Sequence, residues 1–259
     1  MRLSFVPIYK RELRAYFQNP GVYVTLAIFL CLSGLLVYGS VAEFARFSME
    51  QRLRYQYGIP SLNYTEWVVS SAIGLISFLS IILVIPMLTM RLLAEEKKSG
   101  TFELLATCPI SDWGLVLGKY FAAMSVIVIF LAITTVFPLV LSRLGTTEWP
   151  VVASGYGGLI LVGLACTAFG VFASALTENQ FVAGAVTIVG LLGFYLIDIL
   201  GVGGMNLLGR ILNSLSIRGH MENLIRGRIL SEDIAYFLLF AVGFLFLANY
   251  VLESRRWRV

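Results

Sequence analysis

The sequence predicts an all-α integral membrane protein with six transmembrane helices, and three observations predict it. Of 259 residues, 58% are hydrophobic and only 13% charged, whereas a soluble domain carries about 25% charge. The mean hydropathy is +0.85. Six apolar runs, at about 21–41, 67–90, 114–141, 153–176, 181–200 and 234–252, are each long enough to cross a bilayer, which needs about 20 residues. Three smaller elements complete the plan. These are an N-terminal amphipathic interfacial helix (1–20), a charged segment carrying a short helix between spans two and three (91–113), and short re-entrant or interfacial helices before span six (201–232). The chain reads as one membrane domain over 1–259.

The first element lacks the apolar core of a cleavable signal and instead carries Arg2, Lys10, Arg11, Glu12 and Arg14. Phe5, Tyr9, Leu13, Tyr16 and Phe17 recur at helical spacing on one side, and Lys10, Arg11 and Arg14 fall on the other. That pattern suits a helix lying in the membrane interface. Pro20-Gly21 punctuates before span one. Glu12 projects toward the apolar side, which is costly without a partner. It either pairs with a basic residue of the charged segment or snorkels to water.

Span three is longer than a bilayer requires and must tilt, kink or protrude. Pro86 and Pro138 lie inside spans two and three and are candidate kinks. Glycines 155, 157, 158, 163 and 170 in span four, and 184, 190 and 193 in span five, permit close helix packing. Cys31, Cys108 and Cys166 show no CxxC spacing, so neither a zinc site nor a disulfide framework is expected. An even number of spans puts both termini on one side. Eleven of the 19 Lys and Arg residues fall on that side, densest in the short tails. By the positive-inside rule both termini and the 91–113 segment face the cytoplasm. The net charge of +4 forms no continuous stripe, so no nucleic-acid partner is expected.

In 201–232, the run Met205 to Leu215 is too short to cross, and Leu207, Leu208, Ile211, Leu212 and Leu215 share a face. Ser231 or Glu232 caps span six. Asp198, near the outer end of span five, is the obvious acid within the spans. It is either a pathway residue, as intramembrane ionisable groups often are, or an acid hydrated at the interface.

The charged segment is the most informative stretch: Glu95-Glu96-Lys97-Lys98-Ser99-Gly100-Thr101-Phe102-Glu103-Leu104-Leu105, then Pro109. Thr101 caps a helix of about two turns, with Glu103 in its first turn. Pro109 stops it, and Ser111 or Asp112 caps the next helix. So short a helix is marginal alone. Its Phe102, Leu104 and Leu105 need a covering surface, either the chain's own N-terminal helix or a separate protein. Lys119 is expected to snorkel at the interface.

The segment 95–105 with Pro109 and Gly118-Lys119 resembles the hallmark of type-2 ABC exporter permeases. Lys10-Arg11-Glu12-Leu13 resembles that family's connecting helix, and Ser174-Ala175-Leu176-Thr177 with Asn179-Gln180 extends the likeness. Within the family the chain looks most like permeases associated with gliding-motility gene clusters, and it also resembles those of copper-enzyme maturation clusters. The resemblance implies that 101–108 is a coupling helix. Glu95, Glu96, Lys97, Lys98 and Glu103 would supply polar contacts to the ATPase subunit; Phe102, Leu104 and Leu105 would anchor it. It also implies a dimer of permease protomers, homomeric or heteromeric, working with two copies of a P-loop ATPase. That ATPase would bind Mg-ATP, and a membrane protein with a large extracytoplasmic domain is a further implied partner.

This chain has no GxxxxGK[ST] loop, so hydrolysis would belong to the partner, and no cofactor of its own is expected. The expected work is export, or transmission of force to an extracytoplasmic partner without translocation, with segments 43–66 and 201–232 as its surface. An ATP-independent secondary transporter is a weaker fit, because its ion coupling needs more intramembrane polar groups. His220 is the only histidine, which removes paired-histidine haem ligation and HExxH chemistry.

Overall fold

A computed structural model describes residues 5–54, 64–100, 111–201 and 207–256. It is all-α, with six helices long and apolar enough to cross a membrane and no strand among the described residues. Helix α1 (Phe5–Gln18) precedes α2 (Pro20–Arg54), which is span one. Span two is α3 over 65–89, followed after a turn by α4 (Ala94–Lys98). Span three is α5 (Asp112–Thr134) with α6 (Val136–Leu141). Spans four and five are α7 (Trp149–Leu176) and α8 (Gln180–Gly201). Two short helices, α9 (Leu207–Ser214) and α10 (Ile217–Ile225), lead to span six, α11 (Ser231–Arg256).

Local chemistry accounts for the breaks. Pro86 lacks an N–H and would crowd the carbonyl four residues earlier. The chain widens to a π-turn over Ser80–Val84 just before it. Pro138 sits one turn beyond the interruption at Thr135, where the Thr134 and Thr135 hydroxyls donate to the carbonyls of Leu131 and Ala132. Ser111 caps α5 by accepting from the Gly114 N–H, as its position suggests.

One boundary differs from expectation. Span one does not end near residue 41; the helix continues to Arg54. Residues 42–54 hold no Gly or Pro and are rich in helix formers. Phe44 and Phe47 pack edge-on against Tyr64 and Trp67 at the start of span two. The inner part of segment 43–66 is therefore helix.

Span four is the axis of the bundle: 72% of its most apolar window is buried, against 28% for spans one and six. Close approach explains several of its glycines. A Cβ on Gly170 would stand 2.3 Å from Thr89 Oγ1, and one on Gly155 2.7 Å from Ile73 Cδ1, whereas Gly157 and Gly193 face open space. Phe169, Phe194, Phe240 and Phe244 lock spans four, five and six together, with ring centroids 4.9 Å apart for Phe169–Phe244. A second core of Leu92, Leu93, Val116, Tyr120, Ala175 and Leu252 gathers the ends of spans two, three, four and six next to α1. That end is termed terminal below, and the opposite end distal.

Candidate functional site

Helix α1 lies along the first half of span three. Its buried residue is Ile8, which seats on Gly118; a Cβ there would stand 2.8 Å from Ile8 Cγ2. Phe5 packs edge-on against Phe121, and the Tyr9 and Ser125 hydroxyls share a 3.0 Å hydrogen bond. The Tyr16 hydroxyl donates to the Leu88 carbonyl of span two, 2.8 Å away. Phe17, on the apolar side of the helix, is exposed on the bundle surface, and Lys10, Arg11 and Arg14 are exposed as well. The glycine at 118 was the available signal for the Ile8 contact, since it opens a helix surface to close approach.

The acid of α1 closes a ring of four charges. Glu12 Oε1 lies 2.7 Å from Arg11 and 3.2 Å from Lys119; Glu96 Oε1 lies 2.9 Å from each of the same two cations. Each cation touches both carboxylates, so like charges never stand adjacent around the ring. Lys119 is 1% exposed. It does not snorkel, because two carboxylates descend on it from α1 and α4. Of the two alternatives for Glu12, a basic partner on the 91–113 segment or a snorkelled carboxylate, neither holds: its partners are Arg11 and Lys119, and the segment supplies the second acid. Burial pushes the Glu12 carboxyl up, but Lys119 and Arg11 more than offset this and hold it below the ordinary carboxylate value. The hydrogen bond from Arg11 to Glu12 outweighs partial burial and raises the guanidinium above its usual value. Beside the ring is a cavity of about 160 Å³, bordered by Tyr16, Arg91 and Glu95.

A second joint holds α4 from span four. The chain leaves helical geometry at 90–93, so the first amides of α4 have no partner within their own helix. Leu93 offers no side-chain cap. The Ser174 hydroxyl, fully buried, fills the role from another helix. It accepts from the Leu93 and Ala94 N–H groups at 3.0 and 3.1 Å and donates to the Met90 carbonyl at 3.3 Å. Lys97 Nζ donates in return to the Ala175 carbonyl, near the end of span four. Sequence reasoning singled out Ser174 only within a longer stretch and gave it no role, because nothing local announces a cap supplied across 80 residues.

Past α4 the backbone turns at Gly100, whose φ of +71° is the left-handed geometry that ends helices. Glu95 and Lys98 are exposed on α4. Thr101, Phe102, Glu103, Leu104, Leu105 and Pro109 lie outside the described residues.

Asp198 lies far from this site, at the distal end. It stands 3.9 Å from Arg218 of α10, with its Oδ1 buried and unbonded. Arg218 borders a cavity of about 320 Å³ with Ser70, Ser77, Tyr195, Met221 and Arg226.

The six-span all-α bundle is the architecture that the resemblance implies. The family model described as ABC-2 family transporter protein matches residues 44–250. The chain belongs to that family. No curated protein matches this ABC-2 chain. It is therefore the membrane subunit of an ABC transporter, of a kind that in general is non-catalytic and works with an ATPase subunit. The match begins at residue 44, inside span one, so α1 and its half of the charge ring lie outside it, whereas Glu96, Lys119 and Ser174 lie within.

Proposed function

We propose that this ABC-2 subunit receives mechanical work from a separate P-loop ATPase through segment 95–109, with both termini in the cytoplasm of a bacterial inner membrane. One observation carries the reading: the short charged helix α4, which leads directly into 101–109, is tied to three neighbours at once. Glu96 binds it to α1 and span three, and Ser174 and Lys97 bind it to span four. A push on 101–109 then reaches spans three and four without passing through the π-turn over Ser80–Val84 in span two. Gly100 sets the direction in which the segment leaves. Phe102, Leu104 and Leu105 anchor the ATPase, and Glu95, Lys98 and Glu103 orient it, since apolar anchors dominate interface energy and rim charges steer.

Two protomers and two ATPase subunits make the working unit. The output is export of an apolar cargo, or force on a partner with a large extracytoplasmic domain, as the likeness to motility-associated permeases suggests. The test is affinity purification of the tagged chain from native membranes, beside Glu103→Arg and Leu104→Asp variants. Recovery of a P-loop ATPase with the parent chain, and its loss from both variants, is the expected result. A parent chain that brings down no ATPase in mild detergent sinks the proposal.

A further inference from the structure

The distal end carries a second charged constellation that the coupling site does not use. His220 of α10 stands with Nδ1 2.6 Å from Asp233 Oδ1 and Nε2 3.2 Å from the Ser214 carbonyl, at the end of α9. Its ring stacks on Tyr236 with centroids 4.1 Å apart, and the Tyr236 hydroxyl donates to the Leu215 carbonyl at 2.7 Å. Asp233 is 1% exposed, and its Oδ2 is buried without a hydrogen bond. The α9–α10 corner is thus fastened to the N-terminal end of span six by His220, Asp233 and Tyr236, and Asn223 Nδ2 of α10 also donates to Asp233 Oδ1 at 3.4 Å.

Both ring nitrogens of His220 face oxygen atoms, one of a carboxylate and one of a carbonyl. A backbone carbonyl only accepts, so Nε2 must carry a proton. A contact of 2.6 Å between Nδ1 and a carboxylate oxygen needs another. The ring and the carboxylate together therefore hold two protons, one more than a neutral imidazole beside a carboxylate. Where Nδ1 donates to Asp233 and Nε2 to Ser214, both protons sit on the ring. Among the charged groups of the packed elements, Asp233 and Tyr236 face the ring from α11. Glu232 of α11 and Arg210 of α9 are exposed, while Arg218 and Glu222 of α10 are engaged by Asp198 and Arg226.

We propose that His220 and Asp233 form a proton-held staple that keeps α10 closed against span six and over the 320 Å³ distal cavity. Removing the proton leaves a nitrogen lone pair facing either Asp233 or the Ser214 carbonyl. The staple then loses one of its two bonds and the charge that pairs with the buried carboxylate. Helix α10 supplies Arg218, Met221, Glu222 and Ile225 to the cavity wall, and Arg226 follows directly after it, so its release opens that wall. The staple holds while the proton is present and lets go as pH rises. In the orientation proposed above the proton comes from outside the cell, but the staple does not depend on that orientation.

The single histidine makes the test direct. Protein carrying ring-labelled histidine, in lipid nanodiscs, gives one imidazole signal to follow by nitrogen NMR from about pH 5 to about pH 9. Hydrogen exchange of 207–225, corrected for intrinsic rates, is read on the same samples. The expected result is a doubly protonated ring at the acid end that loses one proton across the range. Protection of 207–225 should fall with it by roughly tenfold, and His220→Phe, which keeps the stack but cannot titrate, should show no such fall. A ring whose protonation does not change across the range overturns the proposal, as does protection that is flat in the parent or equally pH-dependent in His220→Phe. If the variant fails to fold, the parent's titration and exchange decide alone.

Discussion

Lys119 of span three and Glu96 of α4 meet at 2.9 Å, with the lysine 1% exposed. A buried ammonium is tolerable only when paired. Lys119 has two carboxylates, one from α1 and one from α4, elements that Ile8, Tyr16 and Ser174 also hold against the bundle. The charge ring thus fixes the position of α1 and α4 relative to the bundle more than it adds stability, since buried pairs gain little over apolar packing but are costly to break.

Lys119→Met removes the centre of that arrangement and leaves Glu12 and Glu96 sharing Arg11 alone. The expected cost is about 3–5 kcal/mol of α1 docking, read as faster hydrogen exchange in 5–18 and a lower melting temperature in detergent. Glu12→Gln should cost less, because Lys119 keeps Glu96. Equal effects of the two variants would contradict the central place of Lys119 in the ring.

Acid should loosen α1, and the sign follows from Glu12. Its carboxyl lies below the ordinary value in the folded state, so its stabilisation is full above about pH 4.3 and is lost as pH falls through the lower folded value. Arg11 is raised, so its contribution survives any alkaline condition in ordinary use. Exchange protection of 8–16 should be flat from neutral to about pH 5 and should fall below that. Glu12→Gln should remove the acid limb, and an identical limb in that variant would place the titration elsewhere.

Two glycines of the bundle should respond in opposite ways. Gly118→Ala drives a methyl to 2.8 Å from Ile8 and should cost about 1–3 kcal/mol by overpacking. Ile8→Ala in the same chain should recover part of that loss, a coupling that a double-mutant cycle measures. Gly157 has nothing within 4 Å of an added Cβ, so Gly157→Ala should stabilise its helix by about 0.5–1 kcal/mol. Thermal unfolding of the purified variants checks both, and equal shifts would contradict the close approach of α1.

The six spans were legible in the sequence because the bilayer sets their length and composition independently of contacts. Ser111, Pro86 and Pro138 were legible because each acts on backbone within one turn of itself. Lys119 was misread for the opposite reason. An amphipathic cation near a helix end ordinarily reaches for water, and only the arrival of Glu12 and Glu96 from 107 and 23 positions away reverses that. Ser174 belongs to the same class, as does the reach of α2 to Arg54, where Phe44 and Phe47 find partners beyond the apolar run. Local rules reach as far as the helix itself; the joints between helices depend on pairings that no window of sequence contains.

Ser174→Ala tests the joint through which span four feels α4. It leaves the Leu93 and Ala94 amides without an acceptor in a fully buried place, at about 1–3 kcal/mol for each. The damage lies behind the surface that would meet the ATPase, so the partner should still co-purify while ATP-driven output falls. Ser174→Thr keeps a hydroxyl in the same position and should restore most of the output, which separates loss of the cap from general disruption of span four. The readout is ATP turnover by the reconstituted complex set against the work it performs. A Ser174→Ala complex that couples as well as the parent would move the transmission route to span three, through Glu96 and Lys119.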